Sequence, residues 1–239
     1  MKKVSAYNAV VEVGRLCTDK CKHCLRGPME KVTINVECVK DFLRQFSSIS
    51  CITFTGGEPT LYAKQIAEII DFIIESEIEV YSFYIASNGK KYSPKLMKAL
   101  DRFYEYLDQY GDNECTAYDV SNDQFHNPDP AVVDRLERHV YFHQRTKIPQ
   151  AGIISEGYAE ENGIGRRVLD HSKKFYVTAN EYRDTTEYEV EMIYLNALGY
   201  LYPDCDYSYA TQRSIPTKHC KEVSIIDFIT NEEYADINW

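Results

Sequence analysis

The sequence predicts an α/β fold built on a parallel sheet, and three observations carry that prediction. Short runs rich in β-branched and aromatic residues alternate with longer segments that repeat apolar residues every three to four positions. Two of the longer segments open on Ser-Pro or Asp-Pro, the polar cap and first-turn proline of a helix start. Strands alternating with amphipathic helices pair in parallel through right-handed crossovers, giving a sheet that is doubly wound or curved into a full or partial barrel. In either form ligands sit at the C-terminal ends of the strands.

The elements follow in order. Strands are expected over 9–14 (AVVEVG), 51–55 (CITFT), 80–86 (VYSFYIA), 115–120 (CTAYDV) and 150–154 (QAGII). The first helix carries Val36, Val39, Phe42, Leu43 and Phe46, and the second Ile66, Ile69, Ile70, Ile73 and Ile74, so each turns one stripe to a core. The third opens at Ser93-Pro94 and buries Leu96, Leu100, Phe103 and Leu107. The fourth opens at Asp129-Pro130 ahead of Val132, Val133, Leu136 and Val140. Beyond residue 155 the rhythm weakens. Gly157, Gly163 and Gly165 mark a loop, a short helix is expected around 168–174, two strands at 188–195 and 199–202 are joined by a turn, and 223–229 is a last apolar segment. The tyrosines Tyr188, Tyr194, Tyr200, Tyr202, Tyr207 and Tyr209 suit half-buried strands.

With 239 residues the chain has material for one sizeable core. Its 37 acidic against 27 basic side chains give a formal charge of −10, which disfavours capture of nucleic acid or an anionic membrane. No apolar run approaches the roughly eighteen residues of a membrane span, and Met1-Lys2-Lys3 leads into a strand rather than a signal-peptide core, so a cytoplasmic address is expected. There, eight cysteines read as metal ligands or buried thiols before they read as disulfides. Cys38, Cys51 and Cys115 fall in helix or strand patterns and are expected in the core.

Cys17, Cys21 and Cys24 place three thiols within eight residues directly after the first strand. Three thiolates on one loop can hold three irons of a cubane cluster and leave the fourth open, whereas a closed zinc site needs a fourth ligand that His23 supplies awkwardly. Buried or redox thiols are the plainer alternative. The CxxxCxxC spacing resembles the signature of the radical S-adenosylmethionine superfamily, and Gly56-Gly57-Glu58-Pro59, one βα unit later, resembles that family's GGEP motif. The motif alone could be a strand-to-helix turn, with Thr60 capping the helix after it. The two motifs in this order are more specific than either.

The resemblance implies a partial (β/α)6 TIM-type barrel over residues 1–180 with a small β-rich C-terminal extension over 181–239. It implies a [4Fe–4S] cluster on Cys17, Cys21 and Cys24, and S-adenosylmethionine at Gly56, Gly57 and Glu58, where close backbone and an opposite charge meet an ammonium group. Ser87-Asn88-Gly89 is similar to the family's turn near the ribose or the methionyl carboxylate, or is a simple turn. Ser121 and Asp123 suit ribose hydroxyls, and His23 stands where the family has an aromatic residue near adenine. Ile153 or Phe125 supplies an apolar wall, and Arg166 a grip on a carboxylate. His126 is a candidate proton donor or substrate contact, or part of a surface turn.

The implied reaction is reductive cleavage of the cofactor by one electron from a flavodoxin- or ferredoxin-type donor, then hydrogen abstraction from a small-molecule or peptide substrate. Gly199–Cys205 resembles the opening of the SPASM or twitch extensions of peptide-modifying members, although only Cys205, His219 and Cys220 are present to hold an auxiliary cluster. A glycyl-radical activating enzyme and a non-enzymatic zinc or iron–sulfur regulatory module are the alternatives.

Overall fold

In the computed structural model, which describes residues 2–110, 115–182 and 184–238, the βα alternation runs through five strands. β1 (Lys2–Glu12), β2 (Ser48–Thr55), β3 (Val80–Ser87), β4 (Ala117–Ser121) and β5 (Phe142–Arg145) lie parallel and adjacent in that order. They cross over through α1 (Val36–Leu43), α2 (Ala63–Glu75), α3 (Pro94–Leu107) and α4 (Pro130–Leu136). The helical stripes bury Val39, Phe42, Ile66, Ile70, Leu100 and Phe103 against Val11, Ile52, Phe54, Phe83 and Ile85 of the strands. Ser93 accepts from Leu96 N and Asp129 from Ala131 N, caps that contribute about 1 kcal/mol each.

The chain then passes through α5 (Gly157–Glu161) to the far side of β1. β6 (Phe175–Tyr182) and β7 (Thr185–Leu195) form an antiparallel hairpin, with β7 laid parallel along β1 from Lys2↔Thr186 to Val11↔Leu195. β8 (Leu201–Tyr202) pairs with β7. After α6 (Tyr209–Ser214) and α7 (Ile225–Ile229), β9 (Ala235–Asn238) adds to β6. The result is a mixed α/β architecture. Its nine-stranded, mostly parallel sheet is compatible with a partial barrel and is extended by C-terminal strands.

Several expectations are corrected. Residues 150–154 are not a strand: Gln150–Gly152 is a 3-10 turn, and Ile154 makes only an isolated bridge to Arg167. The fifth strand is Phe142–Arg145, an edge strand with exposed His143 and Gln144 that no apolar run announces. No helix forms over 168–174, where Val168 is solvent-exposed, and 223–229 holds α7, capped by Ser224. Val140 lies outside α4 and is exposed, because the helix ends at Leu136. Cys115 is exposed and Cys51 only partly buried, whereas Cys38 is buried and disulfide-bonded to Cys220. Among the described residues no helix is long and apolar enough to cross a membrane.

Candidate cofactor site

The site is assembled where β1 ends. Past Glu12 the chain enters the loop that carries the three cysteines, and Arg15, fully buried, anchors it. Its guanidinium donates to Glu12 Oε2 (3.2 Å), Glu30 Oε2 (2.8 Å) and Gln212 Oε1 (2.6 Å) and stacks 4.3 Å over the Tyr209 ring. Four partners on three segments, the end of β1, the loop at Glu30 and the helix Tyr209–Ser214, leave this stretch little freedom.

The glycine pair after β2 presses directly on it. Gly57 N donates to Gly14 O and Glu58 N to Leu16 O, both at 2.9 Å. A Cβ at position 56 would lie 2.2 Å from Gly14 O, and one at 57 would lie 2.0 Å from Leu16 O. Only glycine permits that approach. Gly56 and Gly57 therefore hold the cysteine loop itself, a role beyond the ammonium approach that the motif implied.

Glu58 follows and is buried. Its Oε1 accepts from Thr60 N (3.1 Å), Thr60 Oγ1 (2.8 Å) and Ser87 Oγ (2.9 Å), and its Oε2 from Asn88 N (3.0 Å). Thr60 is thus not a cap: Glu58 caps the turn Pro59–Tyr62, and Thr60 donates to it. The same carboxylate pins the turn after β3, from which Asn88 Nδ2 reaches Thr18 Oγ1 (2.9 Å) and Cys17 Sγ (3.8 Å).

The other end of the loop is held by α5. Tyr158 N donates to Cys24 O (2.9 Å), and Gly157, at φ 53°, packs against Leu25 O and Gly27 N. Cys17, Cys21 and Cys24 share one pocket with Gly56, Gly57, Arg26 and Tyr209. Burial pushes the Cys17 thiol up and that of Cys21 up to about 12, so iron that binds there must release protons.

Three cysteine thiols around one pocket have the donor chemistry of an iron–sulfur cluster. Among the described residues the cysteine–histidine group in this region whose donor atoms all converge within 4.8 Å is Cys21, His23 and His126, and the three thiols are not such a group. Ligands of one ion must converge on a point, whereas thiolates on three irons of a cubane need not.

His23 stacks on Phe125 (centroids 4.3 Å apart, 21° between planes) and meets the edge of His126 at 4.9 Å. Burial holds its imidazole down at about 4, and its buried Nδ1 has no partner. Asp123 Oδ1 accepts from Phe125 N and pairs with His126 Nδ1, both at 2.9 Å, while its buried Oδ2 has no partner. His126 is thereby turned toward His23 and Asp123. Ser121 Oγ accepts from Arg145 Nη2 at 2.7 Å.

The structure thus gathers Gly56, Gly57, Glu58, Ser87 and Asn88 around the cysteine loop, with His23, Asp123 and His126 in contact beside Cys21. It does not bring Arg166 there: that side chain is exposed and donates to Gly163 O and Gly165 O of its own loop. Ile153 is buried, and its carbonyl takes Arg166 N and Arg167 N. Cys205 is flanked by Asp204 and Asp206, and its thiol is pushed up to about 12 by burial. It is not paired with Cys220, whose sulfur is bonded to Cys38. Sequence reasoning missed Arg15, Glu30, Gln212, Tyr158 and Arg145, whose partners are mostly distant in the chain and follow no local pattern.

No family model and no curated protein matches the chain. Among solved structures it superposes on anSMEcpe with bound AdoMet and a Cp18Cys peptide at a TM-score of 0.58 and 11% identity, covering 96% of this chain and 81% of that one. The fold is that of radical SAM enzymes. SuiB of Streptococcus suis matches at a TM-score of 0.50 and 12% identity over 95% of this chain and 66% of SuiB, so the chain spans about two thirds of SuiB. At 11–12% identity the radical SAM fold is what is shared, and the chemistry rests on this chain's own residues.

Proposed function

We propose that this chain is a radical SAM enzyme. Cys17, Cys21 and Cys24 hold a [4Fe–4S] cluster, S-adenosylmethionine binds beside it, and a hydrogen atom is taken from a peptide substrate. The observation that carries this reading is the double clamp on the cysteine loop. Gly57 and Glu58 bond to Gly14 and Leu16 just before Cys17, and Asn88, itself fixed by Glu58, reaches Thr18 and Cys17 Sγ. A loop gripped by two strand ends at the C-terminal face of a parallel sheet is a site pre-organised for a cofactor.

The chain's residues have distinct tasks. Glu58, buried among neutral donors, leaves a negative charge that a cationic ligand complements. Asp123 Oδ2, buried without a partner, suits a ribose hydroxyl, and neutral His23 offers a ring face to adenine if Phe125 yields it. Arg15 and Tyr209 wall the pocket against water. When bound, the cofactors supply the electron, from a flavodoxin- or ferredoxin-type donor, and the 5′-deoxyadenosyl radical. A peptide substrate draws support from the peptide bound to anSMEcpe.

The convergence of Cys21, His23 and His126 favours a second reading, a single bound ion, but that leaves Cys17 and Cys24 without a task. Anaerobic reconstitution separates the two. The cluster reading expects about four iron and four sulfide per chain, an absorption shoulder near 400 nm, and 5′-deoxyadenosine once dithionite is added. Tight zinc without that product would sink it.

A further inference from the structure

A second group of metal-ligating side chains lies apart from the cysteine loop, where α1 meets the segment after β8. Cys38 sits in the first turns of α1, and Cys220 follows 182 residues later. Both are buried, and with His219 their donor atoms all lie within 4.8 Å of one another. Their Cα atoms are 7.1 Å apart, wider than the roughly 4.4–6.8 Å that disulfides usually span. That separation suits two thiolates converging on an ion between them.

We propose that in the reduced chain Cys38, His219 and Cys220 bind one zinc-class dication that ties α1 to the tail. Two sulfurs and an imidazole are a donor set that zinc takes, with water in the fourth position. Water has a way in, because the groove lined by Asn35, Leu198 and Lys221 opens on Cys38 and His219. Two thiolates neutralise the ion, so burial leaves no net charge.

The surroundings hold the imidazole in place. Lys221 N donates to His219 Nδ1 (3.2 Å), a bond that Nδ1 exchanges for the ion while Nε2 keeps the ring proton, and the Tyr200 ring meets the imidazole edge-on at 5.3 Å. Gly199, at φ 91°, leaves the space: a Cβ there would lie 2.3 Å from His219 Nε2. The disulfide is the oxidised, metal-free form of the same site. A dithiol reduces it by two electrons and two protons, leaving as its own disulfide, and the ion then displaces the two thiol protons to buffer.

The groove beside the site is linked to the cofactor loop. Ala197 N, just before this segment, donates to Glu12 Oε2, the carboxylate that also holds Arg15. An ion at Cys38 and Cys220 would brace the tail segment that makes this link.

The test counts zinc in a full-length Cys17→Ser/Cys21→Ser/Cys24→Ser variant purified with a dithiol, so that the cysteine loop contributes no metal. One zinc per chain is expected. It should fall below about one tenth when Cys38→Ser or Cys220→Ser is added, and bind roughly tenfold or more weakly with His219→Ala. Cobalt(II) in its place should show thiolate-to-metal absorption in the near ultraviolet. The chain with its loop intact gives a second measurement: Cys38 and Cys220 should resist alkylation until a chelator is added. Free alkylation of both in zinc-loaded protein overturns the proposal, as does a Cys38–Cys220 bond that survives the dithiol. Failure to form 5′-deoxyadenosine bears on the cluster reading alone, since zinc is counted without the cluster ligands.

Discussion

At Glu58 one carboxylate joins two motifs, and its removal separates effects that are otherwise mixed. Glu58→Ala leaves the amides of Thr60 and Asn88 unpaired in a buried place, and each such donor costs about 1–3 kcal/mol. A loss of roughly 2–6 kcal/mol in urea denaturation is expected. Glu58→Gln keeps an oxygen for most of these donors but removes the charge. It should retain most of the stability while weakening S-adenosylmethionine binding about tenfold, read by calorimetry on the reconstituted protein. Equal binding by wild type and Glu58→Gln would mean that Glu58 only shapes the turns. Glu30 gives a pH signature. Burial pushes its carboxyl up, but hydrogen bonds from Arg15 and Arg213 prevail and hold it below the usual value. The unfolded chain therefore binds this proton more readily. The stabilisation is fully present above about pH 4.5, the ordinary carboxyl value, and is lost as pH falls through the lowered folded value. At pH 7 Glu30→Gln should cost roughly 1–3 kcal/mol, and its gap from wild type should close as the medium becomes more acid than that. A gap independent of pH would remove the ionic account.

Among the elements, the glycine turn after β2 shows what sequence makes legible. Three thiols and a Gly-Gly-Glu-Pro stretch are local patterns, and the close approach of Gly57 to Leu16 O is the reason no side chain is tolerated there. Gly57→Ala, with its Cβ 2.0 Å from that carbonyl, must displace the backbone just before Cys17. It should abolish most iron incorporation on reconstitution and lower the melting temperature, whereas Gly152→Ala, whose Cβ meets nothing within 4 Å, should leave both unchanged. Helices α1 to α3 were readable for the same local reason, since an apolar stripe and a Ser-Pro start need no knowledge of the partner. β5 was not, because an edge strand with polar residues facing water lacks the alternation that marks a strand. The anchoring of Arg15 was not readable either: Gln212 lies 197 residues away, and no spacing rule connects them.

In the whole molecule the C-terminal strands are not appended to a finished sheet. β7 lies between β1 and β6, and it pairs with β1 along nearly the full length of that strand. Beyond the sheet, Tyr207 O accepts from Arg26, Gln212 from Arg15, and Ala197 N donates to Glu12, so the tail grips both ends of the loop that carries the cysteines. A chain cut after Asn180 would therefore lose more than an extension. β1 would become an open edge from Lys2 to Val11, Val10 would lose its packing against Tyr194 and Tyr202, and Arg15 and Glu12 would be left as a buried pair short of partners. Exposed edge strands recruit other chains, and a buried ion pair stripped of its hydrogen bonds is destabilising. The 1–180 fragment should thus aggregate in size-exclusion chromatography and show no cooperative thermal transition. Adding residues 181–239 as a separate peptide should not restore one, because β7 must enter beside β1 while the sheet forms. A soluble monomeric fragment that melts cooperatively and takes up iron would show instead that residues 1–180 fold as a domain of their own.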